Sequence, residues 1–137
     1  MKKTFQGSCH CKAVTFEVDL DLAKGTGKCN CTFCWKQRMW KTAPTGPDDF
    51  RLLTGEDILT NYGTSGVWGE QRHRFCKICG IATHNDGNMA MLGGPFVMVQ
   101  VAALDDLSSE DLLAAPMRCA DGLHDAWQNE PDEKRHL

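Results

Sequence analysis

Alternating apolar and polar positions predict a chain built mainly from short strands. Between residues 13 and 20, Val14, Phe16 and Val18 alternate with polar side chains, the period of a half-buried strand. Residues 96–102 are apolar on both faces and predict a central strand. Shorter strands are predicted at three further runs, residues 50–53, 58–62 and 72–75. The pattern therefore predicts a mainly β fold with antiparallel strands and little helix.

Only one helix is clearly indicated. Ser108 is placed to cap a helix over residues 107–116, acidic residues occupy its first turn, and Pro116 ends it. Residues 35–40 fit a helical turn or a short strand, and the pattern assigns no element to the polar residues 83–94. Turns and loops are predicted at residues 24–28, 44–49, 54–57 and 63–66.

Size and composition indicate one ordinary globular domain. The chain has 137 residues, of which 42% are apolar and 24% charged. A net charge of −3 argues against a nucleic-acid binder, and no apolar run is long enough to cross a bilayer. The first seven residues carry two lysines but no hydrophobic region, unlike a signal peptide. We therefore expect a cytoplasmic protein that uses no membrane.

The cysteines indicate more than an ordinary globular domain, because most of them are clustered. Seven of the eight lie in three short clusters: Cys9 and Cys11; Cys29, Cys31 and Cys34; and Cys76 and Cys79. In a reducing compartment such clusters are more often metal ligands than disulfides. A structural zinc usually has four protein ligands, whereas a catalytic zinc has three and an open position. Seven clustered cysteines thus predict one closed and one open metal site.

The spacing alone leaves the division of these cysteines open. The two pairs can join into a closed site, which leaves the triple cluster to form the open one. Alternatively the two Cys-x-Cys elements can form one site and the other three cysteines the second, with Cys119 or a histidine as a further ligand. Disulfides between clusters are the less favoured alternative, given the expected reducing compartment.

The cysteine motifs resemble those of the glutathione-dependent formaldehyde-activating enzyme family, which also includes the centromere protein V type. The matching segments are Gly7-Ser8-Cys9-His10-Cys11, Cys29-x-Cys31-x-x-Cys34 with Lys36, and Arg74-Phe75-Cys76-x-x-Cys79-Gly80. This resemblance covers roughly residues 5–106. It implies an Mss4-like fold, which is an open arrangement of antiparallel sheets.

The resemblance also implies the ligands and the chemistry. A structural zinc is implied on Cys9, Cys11, Cys76 and Cys79, and a catalytic zinc on Cys29, Cys31 and Cys34. The implied activity is that of a carbon–sulfur lyase, which joins formaldehyde to the thiol of glutathione or runs the reverse. We expect residues 1–116 to form this zinc-binding domain and residues 117–137 a C-terminal extension that docks in part.

Other side chains are weaker candidates for the site. Charge makes four of them candidates for glutathione carboxylates, although solvated surface charges are more common: Lys36, Arg38, Arg72 and Arg74. His84 is expected to be a surface histidine rather than a fourth ligand, His73 to be structural, and Cys119 to be a free thiol. His10 is expected to point away from the metal.

Tryptophans follow the triple cluster where the family often has a small residue and a glycine. Trp35, Trp40 and Trp68 therefore either line the pocket or belong to the core. Bulky residues beside the metal keep two alternatives open. One is a different thiol or aldehyde substrate on the same site, and the other is a non-catalytic binding module.

Overall fold

The computed structural model describes residues 1–137, apart from the side chain of Thr64. Strands account for 46% of the residues and helices for 18%, which confirms the mainly β fold. The strands are β1 (Lys3–Ser8), β2 (Thr15–Leu20), β3 (Thr26–Cys29), β4 (Trp40–Thr42), β5 (Phe50–Thr54), β6 (Leu59–Gly66), β7 (Gly69–Cys76), β8 (Ala82–Met89), β9 (Gly94–Val99) and β10 (Met117–Ala120). The α-helices are α1 (Thr32–Gln37) and α2 (Ser109–Ala114).

The strands form three open sheets. Two are antiparallel, in the orders β1-β2-β5 and β6-β7-β8-β9. The third has the order β10-β3-β4, and in it β10 runs parallel to β3. The prediction of antiparallel sheets is thus confirmed apart from this one pair, which brings the C-terminal part of the chain beside the triple-cysteine segment.

The main core lies between the two antiparallel sheets. Its buried side chains come chiefly from β1, β2 and β9: Phe5, Phe16, Val18, Leu20, Val97 and Val99. The alternation read from residues 14–20 is confirmed, since Phe16, Val18 and Leu20 are buried and their neighbours are half-exposed. Two smaller apolar clusters contain cysteines and lie at the ends of the sheets.

Several residues that the pattern assigns to loops or to no element in fact form strands. Residues 63–66 continue β6, and residues 26–28 belong to β3. Most of residues 83–94 form β8, whose backbone pairs with β7 on one side and β9 on the other. Pairing between neighbouring strands outweighs the weak strand propensity of these polar and glycine-containing segments.

The strand predicted at residues 96–102 ends at Val99 and lies at the edge of its sheet, not at its centre. Both of its faces are nonetheless covered, since Val97 and Val99 pack in the main core and Phe96 is also buried. Thr45 forms a β-bridge with Val97 along the outer edge. Residues 101–103 form a turn of 3₁₀-helix instead of further strand.

Both helices begin at capped residues. Ser108 caps α2, and its hydroxyl and the Asp111 carboxylate form a capping box. The undecided residues 35–40 divide between α1 and β4, and the thiol of Cys31 caps α1 by accepting the Cys34 N–H.

No helix in the described part of the chain has the length and apolar character that a bilayer span requires. The cytoplasmic location stays a prediction.

Candidate metal centres

The two distant cysteine pairs meet at one end of the antiparallel sheets. We call this group the four-cysteine cluster, and its members are Cys9, Cys11, Cys76 and Cys79. The first pair follows β1. In the second pair, Cys76 ends β7 and Cys79 lies in the following turn, where Gly80 has a φ of +75° and turns the chain back towards β8. Four ligand sulfurs within 4.8 Å of one another thus join two sheets.

The spacing of these sulfurs fits a tetrahedral metal ion. Zn–S bonds of about 2.3 Å place the sulfurs of a tetrahedral site about 3.8 Å apart. The Sγ of Cys11 lies 3.6 Å from that of Cys9 and 3.7 Å from that of Cys76. Backbone N–H groups already stabilise thiolate character, since those of Cys11 and Ile81 lower the pKa of Cys79 to about 6. The donor set is consistent with zinc.

The triple-cysteine segment forms a second group, which we call the three-cysteine cluster: Cys29, Cys31 and Cys34. Cys29 ends β3, Cys31 caps α1, and Cys34 lies in the first turn of α1. Their sulfurs also lie within 4.8 Å of one another. Two backbone N–H groups donate to sulfur, from Cys31 to Cys29 at 3.2 Å and from Cys34 to Cys31 at 3.5 Å. The local turn therefore presents three converging sulfurs.

The electrostatics of the three-cysteine cluster favour a cation. Hydrogen bonds from the Cys29 and Cys34 thiols lower the pKa of Cys31 to about 2. The hydrogen bond with Cys29, the hydrogen bond with Cys31 and burial all raise the pKa of Cys34 above its ordinary value. One sulfur is thus readily ionised while the others keep their protons, and a bound cation would stabilise all three as thiolates.

The geometry selects one of the divisions that the spacing left open. Seven cysteines form the two clusters as four plus three, and Cys119 joins neither. All eight cysteines of the described chain are free thiols, so the disulfide alternative is absent. The alternative grouping across the two Cys-x-Cys elements is also absent from the described residues.

The C-terminal segment lies directly against the three-cysteine cluster. The buried Asn30 anchors it, since its Nδ2 donates to Asp121 at 2.8 Å and its Oδ1 accepts from the Leu123 N–H at 2.9 Å. A Cβ atom at Gly122 would lie 2.7 Å from the Cys29 Sγ and 2.6 Å from the Trp127 ring. Only glycine fits between that thiol and that indole, so this segment forms one side of the site.

The basic candidates occupy different surroundings. Arg72 and Arg74 both donate to Asp86, with Nε–Oδ distances of 2.7 and 3.0 Å, whereas Lys36 and Arg38 are exposed. Lys41, which the sequence did not single out, is close enough for its charge to contribute, after burial, to lowering the pKa of His73. Glu70 also lies 3.9 Å from Arg72, so two carboxylates balance these two guanidinium groups on the central strands of the sheet.

The three tryptophan candidates differ in their exposure and their contacts. Trp35 is 41% exposed and packs at a tilt against His136, with ring centroids 4.0 Å apart. Trp40 is half-buried and donates its Nε1–H to Thr26. Trp68 lies at the tip of the β6–β7 hairpin and is 59% exposed, so it belongs neither to the core nor to the site.

The expectation that His84 is a surface histidine is wrong. Only 3% of it is exposed, its Nδ1 lies 2.9 Å from the Thr83 hydroxyl, and its ring lies 4.2 Å from that of Phe50. The position on β8 directs this side chain into the main core beside Phe16. His84 belongs to neither cysteine cluster among the described residues, and His10 is exposed, outside both.

Burial of His84 predicts an acid-dependent loss of stability. Desolvation lowers the pKa of His84 from 6.5 to about 4. Between these values the unfolded chain binds a proton that the folded chain does not, so the free energy of unfolding falls as the pH falls. From pH 7 to 4.5 this amounts to about 2 kcal/mol.

His84→Phe keeps an aromatic ring against Phe50 and removes the titrating group. We expect its free energy of unfolding, measured with urea, to depend less on pH than that of the wild type by about 2 kcal/mol. Protonation of the cysteines affects both proteins alike. An identical pH dependence in the two proteins would refute this account of His84.

Two comparisons relate this chain to known proteins. A family model described as glutathione-dependent formaldehyde-activating enzyme matches residues 4–119, a range that contains all seven clustered cysteines. A crystal structure of a Rhodobacter sphaeroides protein is 30% identical, with a TM-score of 0.65. That likeness covers 82% of this chain and 99% of the other. Gly122 and Trp127 lie beyond the family match.

Proposed function

The chain belongs to the glutathione-dependent formaldehyde-activating enzyme family, and we propose that it is a zinc-dependent carbon–sulfur lyase. Its substrate would be the adduct of a small aldehyde, such as formaldehyde, with glutathione or a similar thiol. The observation that supports this proposal most is the three-cysteine cluster, which offers one ligand fewer than a closed zinc site. The four-cysteine cluster offers the complete set of four ligands.

We assign different roles to the two clusters. Four sulfurs from distant segments make the four-cysteine cluster a structural zinc site that joins two sheets. The three-cysteine cluster comes from one loop, and its residues Cys29, Cys31 and Cys34 are the proposed catalytic ligands. Zinc held there would supply a Lewis acid that lowers the pKa of a substrate thiol or polarises an aldehyde oxygen.

The proposed reaction forms or breaks one carbon–sulfur bond. In the direction of synthesis, the thiolate sulfur adds to the aldehyde carbon, and the C=O π electrons move to oxygen. That oxygen takes up a proton equivalent to the one that the thiol lost, so no oxidant or reductant is needed. The chain's own contribution is to hold both reactants together: α1 and the backbone N–H groups fix the three sulfurs, and the Gly122 segment limits water at Cys29.

The division of the chain is also a proposal. Residues 1–116 would carry both zinc sites, and residues 117–137 would be an extension that completes the catalytic one. Its β10 strand pairs with β3, which ends at Cys29, and the contacts of Asn30 tie the following residues to the same loop.

An exchange measurement tests the proposed activity. Glutathione and formaldehyde are mixed at equilibrium, and their interconversion with the adduct is followed by NMR exchange spectroscopy. We expect the zinc-loaded protein to raise the exchange rate constant above that of protein-free solution. An unchanged rate constant would refute the lyase assignment for this substrate pair.

A second candidate function has a specific observation in its favour. The Trp127 ring and the backbone of Gly122 close one side of the three-cysteine cluster, and Trp35 follows Cys34 directly. These bulky neighbours favour a changed thiol or aldehyde on the same site. The same exchange measurement with a panel of small thiols and aldehydes distinguishes this alternative: acceleration for a pair other than glutathione and formaldehyde would establish it. Acceleration for none would favour a non-catalytic zinc module.

A further inference from the structure

One edge of the four-stranded sheet is β6, whose outer side pairs with no other strand among the described residues. This strand is eight residues long and contains neither a charged residue nor proline. Natural sheets usually protect an edge with lysine, proline, a bulge or a covering segment, because exposed N–H and C=O groups pair readily with another chain. The register of β6 with β7 is also unbroken, so no bulge twists this edge away.

The other sheet edges are covered or charged. On the far side of the same sheet, β9 is bridged by Thr45 and contains Pro95. β1 and β4 have bridging partners as well, at Leu104 and Gln100 respectively. β5 and β10 each carry an arginine. In the part of the chain that the structure describes, β6 is thus the edge without such protection.

The alternation of ladder hydrogen bonds identifies the backbone groups that face outward from β6. The Lys77 N–H donates to the Ile58 carbonyl at 3.1 Å, so the even-numbered residues of this strand bond to β7. The N–H and C=O groups of the odd-numbered residues Asn61, Gly63 and Ser65 therefore point away from β7. All three residues are exposed.

Exposed apolar side chains lie at both ends of this edge. At the tip of the β6–β7 hairpin, Val67 is 95% exposed and Trp68 is 59% exposed. At the opposite end, Ile78 is 63% exposed and lies next to Lys77, which bonds to the half-buried Ile58. An edge that is polar in the middle and apolar at both ends is complementary to itself, because an antiparallel partner places each end against the other.

We propose that β6 is the interface of a homodimer, in which two copies of this chain pair their β6 strands antiparallel about a two-fold axis at Gly63. The two central glycines would exchange both of their outward hydrogen bonds. Val67 would lie opposite Leu59 of the partner subunit, and Trp68 opposite Ile58 of the partner subunit. No like charges face each other in the paired strands, since β6 carries none. The two four-stranded sheets would form one continuous sheet.

The mass in solution tests this interface. A single strand pair buries less than the roughly 1,200 Å² at which standard interfaces begin, so we expect the dimer to form between about 10 μM and about 1 mM. Sedimentation velocity of the zinc-loaded protein over this range should show a mass that rises from 15.2 kDa towards twice that value. A mass of 15.2 kDa at every concentration would overturn the inference and leave the edge for a strand of a different protein.

Gly63→Pro removes the central donor of the proposed interface. The Gly63 N–H faces outward, and proline is tolerated at such a position of an edge strand, so the pairing of β6 with β7 is kept. We expect this variant to stay a monomer over the whole range. Gly63→Ala is the matched control and should dimerise as the wild type does, since a Cβ atom there would lie 3.5 Å from its nearest neighbour. A folded Gly63→Pro that dimerises like the wild type would contradict the proposed register.

A second variant covers the case in which Gly63→Pro folds poorly. Val67 is 95% exposed in the single chain, so Val67→Lys should fold normally. We expect it to dimerise at least about tenfold more weakly, because its charge would lie against Leu59 of the partner subunit. Leu113→Lys, a similar change at an 88% exposed position of α2, should dimerise as the wild type does. Equal dimerisation by both lysine variants would overturn the inference.

Hydrogen exchange of the backbone amides locates the interface directly. As the protein concentration rises, exchange at Gly63 and Ser65 should slow, because their N–H groups become hydrogen-bonded to the partner subunit. Tyr62 should change little, since its N–H already bonds to β7. A dimer that forms without slower exchange at Gly63 would place the contact on another surface and refute the proposal.

Discussion

Replacing Cys79 by serine is expected to unfold the protein or to lower its melting temperature by at least about 10 °C. Cys79 lies in the four-cysteine cluster, which joins the chain after β1 to the chain after β7. A structural zinc site contributes about 10–16 kcal/mol at pH 7, whereas a domain of this size is stable by only about 5–15 kcal/mol. Losing even part of the zinc affinity therefore removes much of the stability.

Thermal unfolding by circular dichroism, together with the zinc content, measures this effect. Cys34→Ser is the matched control, because it makes the same atomic change in the other cluster. A melting curve for Cys79→Ser that coincides with that of the wild type would rule out a structural role for the four-cysteine cluster.

Replacing Cys34 by serine is expected to remove one zinc ion per chain and to leave the fold largely intact. All three ligands of this cluster come from one short segment around α1, so its metal closes only a small loop and stabilises the fold less. Two remaining thiolates hold zinc much more weakly than three. The remaining zinc ion should stay with the four-cysteine cluster.

Zinc analysis of the purified variant, with circular dichroism as a check on folding, provides the measurement. Cys119→Ser is the control, since Cys119 is a buried free thiol outside both clusters, and we expect it to keep two zinc ions. Two zinc ions per chain in Cys34→Ser would contradict the assignment of that site.

Local sequence signals predicted those parts of the fold that depend on local chemistry. The alternation ending at Leu20 follows directly from one buried and one exposed face, and the structure confirms it in β2. The Ser108 cap and the acidic first turn identified α2, although that helix is shorter than the predicted 107–116. Cysteine spacing alone indicates two metal clusters.

The parts that were missed depend on contacts between distant segments. Thr83, His84 and Asn85 are fully or nearly buried in β8, yet the polar pattern of this segment assigns it no element. Pairing with β7 and β9 satisfies their backbone, and Thr83 and Gln71 satisfy most of their side-chain groups. The α1 helix was left undecided because a thiol caps it, and cysteine is not among the usual capping residues.

The candidate site also depends on contacts between distant segments that the sequence does not reveal. Its three sulfur ligands are visible in the sequence because they lie within one loop. Its other surroundings come from far along the chain: β10 is parallel to β3, and this pairing sets Gly122 against Cys29. No local signal marks Gly122.

The exchange rate of glutathione with formaldehyde, measured by NMR for the wild type and Cys34→Ser side by side, tests the central claim most directly. If the three-cysteine cluster is the reactive site, the zinc-loaded wild type accelerates exchange and the folded variant, with one zinc ion left, does not. Equal acceleration by both proteins would contradict the claim, because the chemistry would then proceed without the three-cysteine cluster.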